Sequence, residues 1–201
     1  MIITDELFTY WNYFLALEED AYKISRFIQF HEDNYDTYSF ELAKLLMATA
    51  SQVDVVLREI SSKYSNKKKE NLNIVDYISL INKHLNGIIS WKIQINKFGI
   101  KLEPLTPFGN KDANKRIPEW WTAYNKVKHN LDTEFYQANL KNVLNALGAL
   151  FICVHFYYHL LSEEYAKNNE YEYAKLKGNA QYQQDAKLFS YNQRIKKPLT
   201  Y

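Results

Sequence analysis

The chain has 201 residues, of which 47% are hydrophobic and 24% charged, a composition that suits a folded domain with a sizeable core and excludes a disordered chain. The net charge of +2 is too small to predict nucleic-acid or membrane binding by itself. Only 5 Gly and 4 Pro are present, which favours long helices over a sheet protein with many turns. A single cysteine, Cys153, excludes a disulfide framework.

The first two helices are predicted from apolar residues spaced three and four positions apart. Asp5 opens the first helix, whose apolar stripe continues to Ile28. A polar turn beginning at His31 separates it from the second helix, which begins near Thr37 and is broken by the lysine run 67–69. The paired acids Glu18 and Glu19 indicate the solvent face of the first helix.

A shorter third helix and a long loop follow. Asn73 is the predicted N-cap of this helix, and Gly87 is a candidate for its left-handed C-terminal cap. From 87 to 117 the period changes to an alternation of apolar residues between Ile89 and Ile95, with glycines and prolines nearby. We expect a long irregular loop here with a short extended stretch, and such loops are often functional.

The next helix is short and carries the segment "PEWWTAYNKVKHN". Proline followed by an acid, at Pro118 and Glu119, is typical of a helix start. Asp132 or Thr133 then caps the last long helix, whose apolar stripe begins at Leu140 and is almost free of charge. We expect this last helix to be the most buried element.

The predicted fold is all-α: an antiparallel bundle of four to five helices with a long irregular loop at about 87–117. Residues 1–166 form the bundle domain, and 167–201 form a polar C-terminal tail that is partly helical at 179–189. The apolar run in the last helix is long enough to raise a membrane span, but its internal Asn145, His155 and His159 favour a buried helix.

Three polar side chains of the quoted segment point to chemistry. On a helix, Asn125 and His129 project from one face, one turn apart, with Lys128 beside them. Histidine can transfer a proton, lysine can hold a phosphate, and asparagine can orient either group, which together suit phosphodiester chemistry. The same residues also suit a plain helix end, because Lys128 and His129 complement the negative pole of the dipole.

The stretch "YNKVKH", together with the helical architecture, resembles the HEPN superfamily, whose motif is an arginine, a polar residue, a few further residues and a histidine. Asn125 takes the polar place and His129 the histidine place, while Tyr124 stands where arginine is expected. Members of that superfamily are helical bundles that commonly dimerise. Many are metal-independent ribonucleases in toxin–antitoxin or phage-defence systems, and others bind nucleotides or proteins without catalysis.

The resemblance implies a site, partners and an assembly for this chain. The residues assigned to catalysis are His129, Asn125 and Lys128. The residues assigned to nucleotide binding are Arg116, Tyr124 and Lys126. Tyrosine lacks the fixed charge of arginine, so a nearby lysine or Arg116 must supply it. We expect RNA or a nucleotide as ligand, an antitoxin-like protein as a partner, and a homodimer anchored by aromatic side chains at Trp120, Trp121, Phe98 and Phe108.

Two alternatives remain open on residue types alone. In the first, the protein is a non-catalytic helical interaction protein, and the aromatic motif only fixes the long loop to the bundle. In the second, His155 and His159, four positions apart, bind a metal with Glu163. Since no second histidine pair is present, we expect neither a metal nor a cofactor. The N-terminus lacks the basic start of a signal peptide, so the expected location is the cytoplasm, without membrane attachment.

Overall fold

The computed structural model describes residues 8–168 and 186–191, and helices dominate these ranges. The helices are α1 (Thr9–Ile24), α2 (Phe40–Ser62), α3 (Ile74–His84), α4 (Glu119–His129), α5 (Leu131–Glu134) and α6 (Leu140–Asn168). The strands are β1 (Ile93–Ile95), β2 (Ile100–Leu102) and β3 (Phe189–Tyr191). The prediction of a mainly helical protein is confirmed, and a small three-stranded sheet adds to the helices.

Helix α6 is the centre of the core. Its apolar side chains are buried on all sides, and it packs against α1, α2 and α4. Its length and mean hydropathy of 1.5 are compatible with a membrane span, but 83% of that apolar window is buried inside the protein. Burial on every face explains why its sequence shows an almost continuous apolar run rather than a narrow stripe.

Side-chain caps define where the helices begin. The Ser39 hydroxyl accepts a 3.2 Å hydrogen bond from the backbone N–H of Leu42, so α2 begins at Phe40, three residues after the predicted start. Asn73 caps α3 as predicted and forms a capping box with Asp76. Helix α2 ends at Ser62, before the lysine run that was expected to break it.

The predicted start of the last long helix is wrong. Asp132 and Thr133 belong to the four-residue helix α5, which a 3₁₀ turn separates from α6. Helix α6 begins at Leu140, and the Asn139 side-chain oxygen accepts a 3.0 Å bond from the backbone N–H of Asn142. An asparagine one residue before the apolar stripe is the stronger cap signal.

The loop predicted at 87–117 contains a β-hairpin and several 3₁₀ turns. Strand β1 pairs antiparallel with β2 on one side and with β3 on the other. Gly99 at φ 68° provides the left-handed residue in the hairpin turn. The predicted left-handed cap at Gly87 is wrong, because Gly87 lies in a 3₁₀ turn, and among the described glycines Gly99 alone has a positive φ.

A buried carboxylate holds the C-terminal strand onto the helices. Glu18 is 1% exposed, and its oxygens accept hydrogen bonds from the backbone N–H groups of Lys187, Leu188 and Phe189 at 2.9, 2.8 and 3.1 Å. Burial raises the pKa of Glu18 above its usual range, against the opposing effect of these three donors. The assignment of Glu18 to the solvent face is therefore wrong.

The predicted C-terminal tail contributes a strand to the sheet. Phe189 is buried and pairs in register with Ile95 of β1. The expected helix at 179–189 is wrong for its described residues, because 186–188 are not helical and 189 begins β3, while 179–185 lie outside the described residues. The described part of the tail is thus attached to the same core as α1 and α6.

Candidate functional site

The aromatic residues of the quoted segment fasten α4 to the core. Trp120, Trp121, Tyr124 and Val127 are buried, and α4 packs against α2 and α6. The Trp120 indole N–H donates a 3.0 Å hydrogen bond to the carbonyl oxygen of Pro104. The two tryptophan rings contact each other edge to face, with centroids 5.7 Å apart. Their concentration in one short helix is therefore explained by packing.

The same burial removes the aromatic surface expected to anchor a dimer. Trp120, Trp121 and Phe108 are buried within one chain, and Phe98 is half-buried against Phe30. These side chains offer little surface to a second copy, so an anchor for a dimer must lie elsewhere.

The opposite face of α4 carries the predicted catalytic residues at its C-terminal end. His129 and Lys128 are exposed, and Asn125 is half-buried. The Asn125 side chain donates a 3.2 Å hydrogen bond to the Trp121 carbonyl, which occupies its amide within the helix. Within the described ranges, the His129 side chain has no hydrogen-bond or ion-pair partner in the protein, which leaves both ring nitrogens open to a ligand.

The residue in the arginine place contributes packing and no charge. Tyr124 is 7% exposed, and its ring lies in the core next to Trp121. Its hydroxyl lies 3.5 Å from Nζ of Lys128, which also sits 5.5 Å from the ring centroid. Tyr124 therefore supplies no fixed positive charge, and its ring and hydroxyl contact the ammonium group of Lys128 instead.

The two other lysine and arginine candidates differ in their surroundings. Nζ of Lys126 lies 3.4 Å from a carboxylate oxygen of Glu134, so much of its charge is offset. Arg116 lies before the start of α4, where its Nε donates a 2.7 Å bond to the Asn110 carbonyl. Ten rises of about 1.5 Å separate Glu119 from His129, so the first residue of α4 lies about 15 Å from His129, and Arg116 precedes it by three residues. Arg116 therefore does not join the cluster.

An exposed group of aromatic rings next to α4 was not anticipated from the sequence. Phe40 is 71% exposed and Tyr38 50% exposed, and both contact Phe135 at centroid distances of 4.8 and 5.3 Å. Tyr136 is half-exposed, and the turn that holds it packs against α4. We call these four residues the Phe40 cluster. The sequence does contain a signal for the exposure of two of these rings. Tyr38 and Phe40 flank Ser39, the N-cap of α2, where the first helical residues face solvent.

The two histidines of α6 have separate environments. His155 is buried, and its Nδ1 lies 2.9 Å from the carbonyl oxygen of Phe151. Burial lowers the pKa of His155 to about 4. His159 is half-buried, with Nε2 3.4 Å from a carboxylate oxygen of Glu163. In the described part of the chain, no three His, Cys, Asp or Glu side chains converge as metal ligands would.

Comparison with known proteins adds no relative: no family model, curated protein or solved structure matches the chain. The HEPN resemblance therefore rests on the stretch "YNKVKH" and on the helical architecture. Of the six residues predicted for the site, five share the C-terminal half of α4, namely Tyr124, Asn125, Lys126, Lys128 and His129.

Proposed function

We propose that this protein is a HEPN-like helical protein that binds RNA or a nucleotide at the C-terminal end of α4. The observation that carries the proposal is the exposed pair Lys128 and His129 on a helix whose other face is fastened by two buried tryptophans. In this proposal α1, α2, α4 and α6 form the antiparallel bundle of that superfamily, and the small sheet is an addition to it.

Each polar residue has a proposed role. Lys128 has no carboxylate within ion-pair distance in the described ranges, so its ammonium is available to a phosphate. His129 contacts the ribose or the phosphate beside it, and Asn125 lines the approach to both. Lys126, partly offset by Glu134, contributes a weaker phosphate contact. Because phosphate contacts dominate the affinity of such sites, Lys128 is the principal binding residue.

Cleavage in this proposal requires a second copy of the chain. Metal-independent RNA cleavage needs a base that accepts the proton of the ribose 2′-hydroxyl and an acid that protonates the leaving 5′-oxygen. One chain supplies a single exposed histidine in the motif and no arginine in the place of Tyr124. A two-fold contact through the Phe40 cluster, next to α4, would bring two copies of His129 and Lys128 towards one another.

The biological setting follows from the same resemblance. We propose a cytoplasmic role in a toxin–antitoxin or phage-defence system, with an antitoxin-like protein as a partner. In the alternative, the chain is a non-catalytic interaction protein. That alternative is favoured by the internal contacts of three motif residues: Tyr124 is buried, Asn125 bonds to its own helix, and Lys126 pairs with Glu134.

RNA binding and RNA cleavage can be measured on the same variants. Fluorescence anisotropy of labelled single-stranded RNA gives the affinity, and denaturing gels of the same samples show cleavage. We expect Lys128→Ala to weaken binding and to reduce the slope of log affinity against log salt by about 1. The matched control is Lys23→Ala, an exposed lysine on α1 that pairs with Asp20.

The variant His129→Ala distinguishes a catalytic role of the site from a role in binding alone. If the wild type cleaves RNA, this change should reduce the rate by about 10²- to 10⁴-fold while weakening the affinity less than Lys128→Ala does. Equal affinity for RNA in the wild type, Lys128→Ala and Lys23→Ala would contradict binding at α4. Binding without any cleavage in the wild type would favour the non-catalytic form of the proposal.

A further inference from the structure

A cleft lies beside the N-terminal end of α4, at the far end of the helix from His129. Its volume is about 390 Å³, within the range of clefts that bind small molecules. We call it the proline cleft, because its walls include Pro104, Pro107 and Pro118. No residue of the predicted site at Asn125, Lys128 and His129 lines it.

The apolar wall of the proline cleft is rigid. Pro104 and Pro118 are buried apart from the surface they present to the cleft, and each ring fixes its own backbone angle. The hydrogen bond from Trp120 to the Pro104 carbonyl, at 3.0 Å, ties this wall to α4. Ile117, 40% exposed, extends the apolar surface outward. The C–H surface of these rings suits packing against a planar ring.

One lysine at the rim of the proline cleft is available to an anion. Nζ of Lys141 lies 2.7 Å from the carboxylate of Glu119, so that charge is offset. Nζ of Lys115, in contrast, is 3.8 Å from Asp112, whose carboxylate also accepts a backbone bond from Asn114. In addition, the backbone N–H groups of Glu119 and Trp120, the first two of α4, have no intrahelical acceptor and lie at the positive end of the dipole.

The side-chain oxygen of Asn142, at the cleft, has no donor within the described residues. Asn142 is 6% exposed, and its Nδ2 donates a 2.9 Å bond to the Gln137 carbonyl. Asn142 lines the same cleft, and its Oδ1 accepts no hydrogen bond from any residue in 8–168 or 186–191. This oxygen is therefore an acceptor that a ligand N–H or O–H in the cleft can use.

We propose that the proline cleft binds a small molecule that combines a planar ring, a hydrogen-bond donor and one anionic group. The ring packs on Pro104 and Pro118, the donor bonds to Oδ1 of Asn142, and the anion contacts Lys115. A nucleoside monophosphate and a hydroxylated aromatic carboxylate share this chemistry. The inference is independent of the proposed RNA site, since the two lie at opposite ends of α4.

Calorimetric titration of the full chain tests the proposal with four probes: adenosine 5′-monophosphate, 4-hydroxybenzoate, adenosine and inorganic phosphate. We expect at least one of the two ring-bearing anions to bind more tightly than both adenosine, which lacks the anion, and phosphate, which lacks the ring. Preference for the monophosphate identifies a nucleotide as the ligand class, and preference for the carboxylate identifies an aromatic acid.

Matched variants locate the binding. Lys115→Ala should weaken the preferred anion roughly tenfold, as expected for the loss of one charge-assisted hydrogen bond. Lys111→Ala, which changes an exposed lysine of the same loop outside the cleft, should leave the affinity unchanged. The proposal is overturned if neither ring-bearing anion saturates at millimolar concentration, if phosphate alone binds as tightly, or if Lys115→Ala has no effect.

Discussion

The carboxylate of Glu18, in the middle of α1, accepts a 2.8 Å hydrogen bond from the backbone N–H of Leu188, 170 positions further along the chain. Leu188 and Phe189 are buried, so the contact joins a buried carboxylate to the buried backbone at the start of β3. Without Glu18, the backbone N–H groups of Lys187, Leu188 and Phe189 would lose their acceptor. The Glu18 side chain thus accepts the backbone hydrogen bonds of the residues that lead into β3 and of its first residue, Phe189.

Glu18→Ala should release the C-terminal strand. Since a buried group that loses its hydrogen-bond partner costs about 1–3 kcal/mol, we expect a loss of roughly 2–4 kcal/mol in the free energy of unfolding for several donors together. Hydrogen exchange of the Leu188 and Phe189 amides should accelerate more than exchange in α6. The control is Glu19→Ala, which removes only a side-chain ion pair with Lys187. Equal exchange in both variants would contradict a clamping role for Glu18.

The helices could be predicted from the sequence because their signals are local. The stripe of α2 and the cap at Asn73 involve residues within a few positions of each other. Strand β3 could not be predicted, because its partners Glu18 and Ile95 are distant in sequence and Glu18 has the pattern of a surface acid. The Ile93 and Ile95 alternation did indicate the extended stretch that became β1.

The helix that carries the candidate site could be predicted for the same reason. Spacing on a helix correctly placed Asn125, Lys128 and His129 together on α4, since helix geometry is periodic. Spacing cannot tell which side of the helix faces the core. Only the tertiary structure shows that Tyr124 is buried.

His155 makes the stability of the protein depend on pH. Burial lowers its pKa to about 4, whereas an unfolded histidine titrates near 6.5. The neutral side chain is favoured in the folded state, so its contribution is complete above pH 6.5 and is lost as the pH falls towards 4. A difference of this size corresponds to roughly 3 kcal/mol in the free energy of unfolding.

His155→Phe should reduce the loss of stability between pH 6.5 and 4, because phenylalanine keeps an aromatic ring beside Trp11 and Phe151 but cannot be protonated. Urea unfolding at several pH values measures the effect. His129→Phe, at an exposed histidine without a hydrogen-bond or ion-pair partner in the described ranges, serves as the control and should retain the wild-type pH dependence. Identical pH profiles for the wild type and His155→Phe would show that His155 does not control acid sensitivity.

Gly148 of α6 allows the hairpin to approach the central helix. A Cβ atom at this position would lie 2.5 Å from Cδ1 of Ile93 and 3.5 Å from Leu102 and Pro104. Gly148→Ala should therefore destabilise the protein by about 1–3 kcal/mol through overpacking. The second change Ile93→Val removes Cδ1, so the double variant should recover part of this loss. Thermal unfolding of Gly148→Ala, Ile93→Val and the double variant measures this recovery. If the double variant is no more stable than Gly148→Ala, the strain does not arise from the contact with Cδ1 of Ile93.

The Phe40 cluster is the aromatic surface available for a dimer beside the proposed site. Phe40, Tyr38 and Tyr136 are exposed, whereas Trp120 and Trp121 are buried. Exposed aromatic groups of this kind commonly anchor interfaces, and a two-fold contact is the most frequent form of soluble oligomer. We therefore expect sedimentation at micromolar concentration to give twice the chain mass of 23.9 kDa.

Phe40→Ser should shift this dimer to the monomer, because the change removes the most exposed ring of the cluster while leaving the Ser39 cap of α2 in place. Phe27→Ser is the matched control, since Phe27 is also strongly exposed but lies after α1 and outside the cluster. A dimer that survives Phe40→Ser would place the interface on another surface. If the wild type is a monomer, the site composed from two chains does not form. Each chain then presents one motif with a single histidine and no arginine. Cleavage by the proposed mechanism would lack the second histidine and lysine that a partner chain supplies.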